Sequence, residues 1–231
     1  MNDNYWYLKK CDIFHDLAAE QLLLLEQHCH CREFSRGQMV YTPKHTADTV
    51  LLLGRGRVRT FHPATDGKQA ILGFVEPAEL FGELSIFNQG DELRNEFAEA
   101  VERSSIVEVP QNFLKKLLNE SSAVANKLAK HFAAKLSRAE GRLKSLLFRT
   151  SRERLIHLLS ELTKTYGQPT ADGVIIAQKI SHQDMASIIG ATRETVTITL
   201  GELQAEGVLK INQRRMTISN TAFFNTALFP A

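Results

Sequence analysis

The chain has 231 residues, enough for two domains that each bury a core, and its 43% hydrophobic and 23% charged residues are ordinary for a globular protein. No run approaches the roughly 20 apolar residues of a membrane span, and the first residues lack the pattern of a secretory signal, so we expect a cytoplasmic protein. The net charge of +2 is unevenly divided, because residues 1–120 sum to −5 and residues 121–231 to +7. Only the second half has the positive charge typical of a polyanion-binding protein.

The first thirty residues predict one or two short helices. The clearest runs from Leu17 to Leu25, where Asp16 is placed to cap an amphipathic turn. The chain has three cysteines, Cys11, Cys29 and Cys31. They are too few for a disulfide framework, so we expect free thiols in a reducing compartment.

The segment His28-Cys29-His30-Cys31 offers side chains that bind metals and haem iron. In a strand, neighbouring side chains point to opposite faces, so these four would form two separate pairs. Two ligands seldom hold a structural metal. We therefore predict no metal site, and a regulator that senses haem, a metal or thiol oxidation remains an alternative.

From Phe34 to Val109 the sequence consists of short apolar runs divided by Gly, Pro and Asp. This spacing is typical of an antiparallel β-sandwich or barrel. Turn signals support this prediction, because glycine supplies the positive φ that hairpins need. The signals are Gly54-Arg55-Gly56, Asp66-Gly67 and Gln89-Gly90-Asp91.

Beyond Pro110 the pattern is helical as far as Tyr166. Apolar residues recur at spacings of three or four along one stretch, which predicts one long helix. They are Val124, Leu128, Phe132, Leu136, Ala139, Leu143 and Leu147. Such a stripe covers the chain's own core, pairs with the same helix of a second subunit, or does both, and we favour a coiled-coil-like dimer seam. Residues 165–173 read as a loop before a short strand at residues 174–176.

From residue 180 the sequence has the pattern of a helix-turn-helix. Ser181 is a natural N-cap with Asp184 as its capping-box partner, Gly190 suits a left-handed turn, and Thr192 caps a second helix. The apolar positions of the two helices face each other. They are Met185, Ala186, Ile189, Val196, Leu200 and Leu203.

Arg193, Glu194 and Thr197 fall near the start of the second helix, on the side away from its apolar stripe. Arginine donates two hydrogen bonds to guanine, glutamate accepts one from cytosine, and threonine contacts a thymine methyl or a phosphate. Residues 208–211 and 214–218 read as a hairpin that completes a winged helix. The alternative is that Arg193 and Glu194 form an ordinary solvated pair.

Two motifs resemble the Crp-Fnr family of transcription regulators. Gly190 to Val196 is similar to the family's recognition-helix signature, and Leu80 to Phe87 is similar to the phosphate-cassette segment of its cyclic-nucleotide-binding fold. The resemblance covers nearly the whole chain and implies an α+β protein. Its parts are a cyclic-nucleotide-binding-type antiparallel β-sandwich or jelly roll over residues 1–120, a long dimerisation helix over 121–148, and a winged helix-turn-helix domain over 149–231.

The resemblance also implies site residues. Arg193 and Glu194 would read bases, while neighbouring polar residues would support them, largely on phosphates; the predicted DNA-binding set is Ser181, Gln183, Thr192, Arg193, Glu194, Thr195 and Thr197. In the sensor, Gly82 and Glu83 match residues that hold ribose and phosphate. The predicted effector-binding set is Gly82, Glu83, Leu84, Arg94 and Asn95.

The sequence departs from the family pattern at three places. Ile198 replaces a further base-contacting arginine, Leu93-Arg94-Asn95 replaces an Arg-Ser pair, and Ala139-Glu140 stands where a Thr-Ser pair contacts a purine. Cyclic AMP is therefore one candidate among other nucleotides, a 2-oxo acid, or no ligand. For Gly82 and Glu83 the alternative is a structural turn with a surface carboxylate.

These observations predict a homodimeric regulator that binds double-stranded DNA at a pseudo-palindromic site, works with RNA polymerase and responds to a small-molecule effector, either a cyclic nucleotide or another small anion. No histidine, serine, cysteine or aspartate stands at a spacing that builds a nucleophilic triad, so we predict that the protein is not an enzyme. A ligand-binding module without DNA activity is the second alternative.

Overall fold

The computed structural model describes residues 3–43, 45–63, 69–87, 93–212 and 215–219. The chain divides into two compact units, Met1–Leu136 and Ser137–Ala231, and the division falls within a long helix. Within the described ranges, no helix is long and apolar enough to cross a membrane. Each unit has its own core and is described separately.

The first unit begins with two short helices, α1 (Asp3–Lys10) and α2 (Ala19–His28). The prediction that Asp16 caps the second helix is wrong, because Ala18 holds the N-cap position and its N–H donates to the Gln21 side chain at 3.3 Å. The Asp16 carboxylate instead pairs with Lys127 Nζ at 2.7 Å. The Asp16 side chain therefore forms a long-range ion pair instead of the cap that the local sequence predicts.

Two four-stranded antiparallel sheets form the body of the first unit. Their orders are β1-β8-β3-β6 and β2-β7-β4-β5. The strands are β1 (His30–Phe34), β2 (Met39–Tyr41), β3 (Thr49–Arg55), β4 (Val58–Pro63), β5 (Gln69–Val75), β6 (Leu80–Phe81), β7 (Phe97–Ala100) and β8 (Ser104–Pro110). A single turn of 3-10 helix, Glu83–Ile86, follows β6.

Strand β3 is buried on both of its faces. Leu51 and Leu53 join the cluster between the sheets, whereas Val50 and Leu52 belong to a second cluster that also holds residues of the helices. Because side chains alternate along a strand, one strand supplies both clusters. This explains why its sequence is an uninterrupted apolar run.

The turn at Gly54-Arg55-Gly56 differs from the hairpin expected there. β3 and β4 belong to different sheets, so the turn carries the chain from one layer of the sandwich to the other. Gly56 supplies the positive φ, at 89°. The other two predicted turns, Asp66-Gly67 and Gln89-Gly90-Asp91, lie outside the described residues.

Three helices follow the sandwich: α3 (Gln111–Glu120), α4 (Ser122–Phe148) and α5 (Ser151–Tyr166). The predicted apolar stripe on α4 is buried at the start of the helix and exposed further along it. Val124 and Leu128 are buried in the core of the first unit, whereas Leu136 is 61%, Leu143 58% and Leu147 67% exposed. The second half of the helix therefore presents apolar side chains that the described residues leave exposed.

The second unit adds a four-stranded antiparallel sheet of order β11-β12-β10-β9. Its elements are β9 (Gly167–Thr170), β10 (Gly173–Ile176), α6 (His182–Ile189), α7 (Arg193–Ala205), β11 (Leu209–Asn212) and β12 (Arg215–Ile218). The predicted strand at residues 174–176 and the wing hairpin are confirmed. Arg214, predicted in the hairpin, lies outside the described residues.

Residues 165–173 do not form a plain loop, because β9 lies within them and pairs with β10. Pro169 has no N–H to donate, but β9 is at the edge of the sheet, where proline is tolerated. With this hairpin, the β-sandwich, the long helix and the winged helix-turn-helix confirm the predicted fold class.

Candidate nucleic-acid interface and effector site

The first helix of the helix-turn-helix is capped as predicted. The Ser181 hydroxyl accepts a hydrogen bond from the Asp184 N–H at 3.0 Å and lies 2.6 Å from the Asp184 carboxylate. Ser181 is thus the N-cap residue that the sequence predicts, and the contact of Asp184 with it is between the two side chains.

The turn between the two helices depends on Gly190, which has φ 63° and ψ 47°. A side chain is strained in this left-handed region. A Cβ at this position would also lie 3.0 Å from Leu146 Cδ2. Two residues further on, Thr192 caps α7 by accepting from the Thr195 N–H at 3.1 Å.

The apolar faces of α6 and α7 pack together as predicted. Met185, Ala186 and Ile189 from α6 and Val196 and Leu200 from α7 are all buried in the core of the second unit. The side of α7 opposite this core is left for other contacts.

Arg193 and Glu194 occupy the first turn of α7 and are both exposed. The Arg193 guanidinium makes no hydrogen bond or ion pair with other described residues, so its donors are available to a ligand. The pKa of Glu194 is lowered by its own backbone N–H, by a hydrogen bond from Thr192 and by the charge of Arg193. At neutral pH the pair therefore presents a donor fork beside an ionised acceptor, which is the chemistry of base reading.

The other predicted DNA-binding residues surround this pair, but several of their hydroxyls are engaged within the protein. Ser181, Thr192 and Thr195 take part in capping. Thr197 Oγ1 donates to the Arg193 carbonyl at 2.9 Å and lies 2.9 Å from His182 Nδ1. Gln183 is exposed on the first turn of α6.

The contact of Thr197 with His182 joins α7 to α6 and was missed from sequence. Residues fifteen apart on two helices carry no periodic signal that would pair them. The contact makes Thr197 an orienting residue for the helix that bears Arg193.

In the first unit, Glu83 follows Gly82, which has φ 67°, and its side chain is fully buried. Glu83 Oε1 accepts hydrogen bonds from Lys135 Nζ at 2.6 Å and from His131 Nε2 at 3.1 Å, both on α4. Burial raises the pKa of Glu83, but the hydrogen bond from His131 and the charge of Lys135 outweigh it and lower the pKa overall. Glu83 is thus an ionised carboxylate inside the protein, not a surface group.

The second oxygen of the Glu83 carboxylate has a different environment from the first. Glu83 Oε2 is buried and has no hydrogen-bond partner among the described residues. A buried carboxylate oxygen left in this way costs about 1–3 kcal/mol relative to one that accepts a hydrogen bond. The fold therefore bears this cost at Glu83 Oε2.

Arg94 is turned inward towards the same segment. It donates to the Gly82 carbonyl at 2.7 Å and to the Thr49 carbonyl at 2.6 Å, and its guanidinium lies 4.7 Å from the centre of the Tyr41 ring. A Cβ on Gly82 would overlap this guanidinium. The glycine is therefore required where the arginine enters.

The space beside Arg94 is small. Gly82, Leu84, Arg94 and Asn95 contribute to the lining of a cavity of about 10 Å³, room for about one water molecule. Sites for nucleotide-sized ligands are typically about 300–1,000 Å³. The structure brings these four predicted residues together, whereas Glu83 faces α4, and the site is closed around Arg94.

The His28 to Cys31 segment does not form a single strand. His28 is the last residue of α2, where its ring bonds to the Leu24 carbonyl, and β1 begins at His30. Burial raises the pKa of the Cys11 thiol to about 11 and that of Cys29 to about 12, so both stay protonated at neutral pH. No group of three or more potential metal ligands occurs in the described part of the chain.

Comparison with known proteins defines the class. The family model "Cyclic nucleotide-binding domain" matches residues 31–121, and "Crp-like helix-turn-helix domain" matches residues 153–223. A sensor of this type followed by this DNA reader defines a DNA-binding transcription regulator. The chain belongs to the Crp-Fnr family of these regulators.

Relatives and solved structures agree with this assignment. The global nitrogen regulator of Synechococcus elongatus is 29% identical over 90% of this chain and 91% of its own. The cyclic AMP receptor protein of Thermus thermophilus is 27% identical over 96% and 99%. A CooA mutant from Carboxydothermus hydrogenoformans has the same fold, with a TM-score of 0.78 at 20% identity over 93% of this chain and 92% of that one.

Proposed function

We propose that the protein is a homodimer that reads a pseudo-palindromic DNA site through Arg193 and Glu194. The observation that carries this proposal is the exposed donor–acceptor pair on the first turn of α7. Ser181, Thr192, Thr195 and Thr197 hold the reading helix in place, and Gln183 contacts a phosphate. Two such helices, related by a two-fold axis, would enter major grooves about 34 Å apart.

Selection of binding sites from random duplexes, followed by gel shift with Arg193→Ala, tests this proposal. We expect a loss of about 1–3 kcal/mol per half-site and a relaxed preference at one base pair, because a bidentate contact to guanine is lost. Lys179→Ala, which removes an exposed cation just before α6, is the control. Equal losses on selected and random DNA would show that Arg193 does not read sequence.

We further propose that the first unit senses a small anionic effector, with a cyclic nucleotide as one member of that class. Two observations support this: Glu83 Oε2 has no hydrogen-bond donor among the residues that the structure describes, and Arg94 is a cation beside Gly82. Among the relatives, one is named a cyclic AMP receptor protein and another a global nitrogen regulator, so the names of the relatives do not fix one effector for this chain. Glu83 does not line the cavity at Arg94, so an effector with an anionic group and a hydroxyl would reach both residues only after the site has opened.

Calorimetric titration of the full chain with cyclic AMP, cyclic GMP and 2-oxoglutarate tests the effector site. We expect one of these probes to bind, and we expect Arg94→Gln to weaken that binding about tenfold or more, because a charge-assisted contact is lost. Arg36→Gln, an exposed arginine between β1 and β2, is the control. Binding that is unchanged by Arg94→Gln would contradict the proposed site.

The functional division that follows is a sensor over residues 1–120, a dimerisation helix over 121–148 and a DNA-binding domain over 149–231. An effector that binds more tightly to the DNA-competent arrangement of the dimer would raise the population of that arrangement. The DNA-bound dimer would then act on RNA polymerase.

A further inference from the structure

A separate cavity of about 430 Å³ lies entirely within the second unit. Its walls come from the second half of α4, from α5 and from the end of α6. The lining residues that matter here are the cations Arg138, Arg142, Lys144, Arg149 and Arg154, together with His157. Neither the base-reading pair nor the effector residues line this cavity.

The cavity wall is strongly unbalanced in charge. Five arginine or lysine side chains line it, and Glu161 is the acidic residue among the lining residues. Like charges gathered in a partly enclosed space repel one another unless an anion lies between them.

Individual groups show the effect of this crowding. Burial lowers the pKa of Arg142, and the charge of Arg138 adds to the shift while Glu161 opposes it. Burial likewise lowers the pKa of His157, with Arg149 acting in the same direction. Arg154 Nε is buried and has no hydrogen-bond partner among the described residues. A bound anion would relieve each of these costs.

The cationic face of α4 is distinct from its exposed leucine stripe. Arg138, Gly141, Arg142 and Ser145 recur at spacings of three and four and so share one side of α4, and Arg149 directly follows the helix. Leu136 lies two residues before Arg138, and Leu143 lies two residues before Ser145, which places each leucine about 200° around the helix from that residue. Pairing of the leucine stripe with a second subunit would therefore leave the cavity open.

The floor of the cavity is apolar. Leu146, Leu158, Ile188 and Ile189 contribute to it, and Ile189 belongs to the first helix of the helix-turn-helix. Arg154 joins the cavity to the same motif, because it donates to the Gly190 carbonyl at 3.4 Å.

We propose that this cavity binds a small polyanion with an apolar body, of the nucleoside polyphosphate class. The cationic wall would hold the phosphates, and the apolar floor would receive the base. The volume lies in the range typical of sites for such ligands, about 300–1,000 Å³. A duplex DNA backbone would use the cations but would leave the floor uncovered.

The test is calorimetric titration of the full chain with ATP, tripolyphosphate and adenosine. We expect ATP to bind most tightly, tripolyphosphate more weakly and adenosine not measurably, since both parts of the ligand are needed. Arg142→Gln should weaken ATP binding about tenfold or more. Lys164→Gln removes the same charge from an exposed position on α5 outside the cavity and should change binding less than about twofold.

A steric variant tests the cavity without changing charge. A Cβ at Gly141 meets nothing within 4 Å, so Gly141→Leu fills space in the cavity and should abolish ATP binding. Leucine also favours a helix over glycine, so the variant should fold. Gly201→Leu is the matched control, because Gly201 is another helical glycine with open space around it.

Several outcomes would overturn the proposal. These are the absence of ATP binding, equal weakening by Arg142→Gln and Lys164→Gln, and tripolyphosphate binding as tight as ATP. Loss of ATP binding in Arg94→Gln with no effect of Arg142→Gln would place the ligand in the first unit. A loss of affinity for random duplex DNA in Arg142→Gln, with ATP binding unchanged, would identify the cations as backbone contacts.

Discussion

Glu83 shows how a single buried charge is tolerated in this protein. Its carboxylate has no access to water, yet Lys135 and His131 from α4 keep it ionised. The sequence motif points to Glu83 but to neither of its partners. Lys135 and His131 lie four residues apart on one face of α4, and this spacing is the only local sign that they act together. Their contact with Glu83, about fifty positions earlier in the sequence, depends on the fold.

Removal of one partner should therefore be costly. Lys135→Met should lower the free energy of unfolding of the first unit by about 1–3 kcal/mol at pH 7, because a buried carboxylate loses its stronger hydrogen bond. Urea denaturation measures this loss. Lys130→Met, at an exposed position of the same helix, is the control and should change stability by less than about 0.5 kcal/mol.

The pH dependence of this effect has a defined sign. Because the folded-state pKa of Glu83 is lowered, its ionisation stabilises the fold at pH values above the unfolded pKa of about 4.3 and is lost as pH falls through the folded value. The difference in free energy of unfolding between wild type and Lys135→Met should therefore be largest at pH 7 and become smaller below about pH 4. A difference that stays constant down to pH 3 would contradict the ion pair.

At the scale of elements, the helix-turn-helix was the most predictable part of the molecule. Its caps, its glycine turn and its apolar spacing are local, so the residues that specify them lie within a few positions of each other. β9 was not predicted, since Gly167-Gln168-Pro169-Thr170 consists mainly of turn formers and becomes a strand by pairing with β10. The inward turn of Arg94 was not predictable either, because Tyr41 and Thr49 come from distant strands.

The turn at Gly190 offers a controlled test of an element. Gly190→Ala and Gly207→Ala both place a side chain at positive φ, 63° and 71°, and should each cost about 1–2 kcal/mol. Alanine at Gly190 also meets Leu146, whereas nothing lies within 4 Å at Gly207. Denaturation should therefore show the larger loss for Gly190→Ala. Equal losses would mean that Leu146 moves aside at no cost.

At the scale of the whole molecule, charge and apolar surface are divided by function. The acidic first half contains the cyclic-nucleotide-binding-type domain, and the basic second half contains the Crp-like helix-turn-helix and the cationic cavity. The exposed leucines of α4 are the surface that a second subunit would cover. The uneven charge is evident from the sequence, but the cavity is not. Its cations are arginine and lysine residues, which are usually exposed, and only the packing of three helices brings them around one space.

A substitution in the exposed leucine stripe of α4 tests the proposed dimer. Leu143→Glu places a charge in the middle of the proposed seam, so we expect a monomer in sedimentation equilibrium and a loss of tight binding to the two-half-site DNA. Ala134→Glu adds the same charge at an exposed position of α4 outside the stripe and should leave the dimer intact. A dimer that persists in Leu143→Glu would place the interface elsewhere.

The inward position of Arg94 would also set how much effector the protein needs. Its guanidinium already donates to the Gly82 and Thr49 carbonyls, and the cavity beside it has room for about one water molecule. An anionic effector that pairs with Arg94 would therefore bind only the fraction of molecules in which this segment has opened, and the apparent dissociation constant would rise in inverse proportion to that fraction. A regulator built in this way would respond to an abundant signal and not to traces of it.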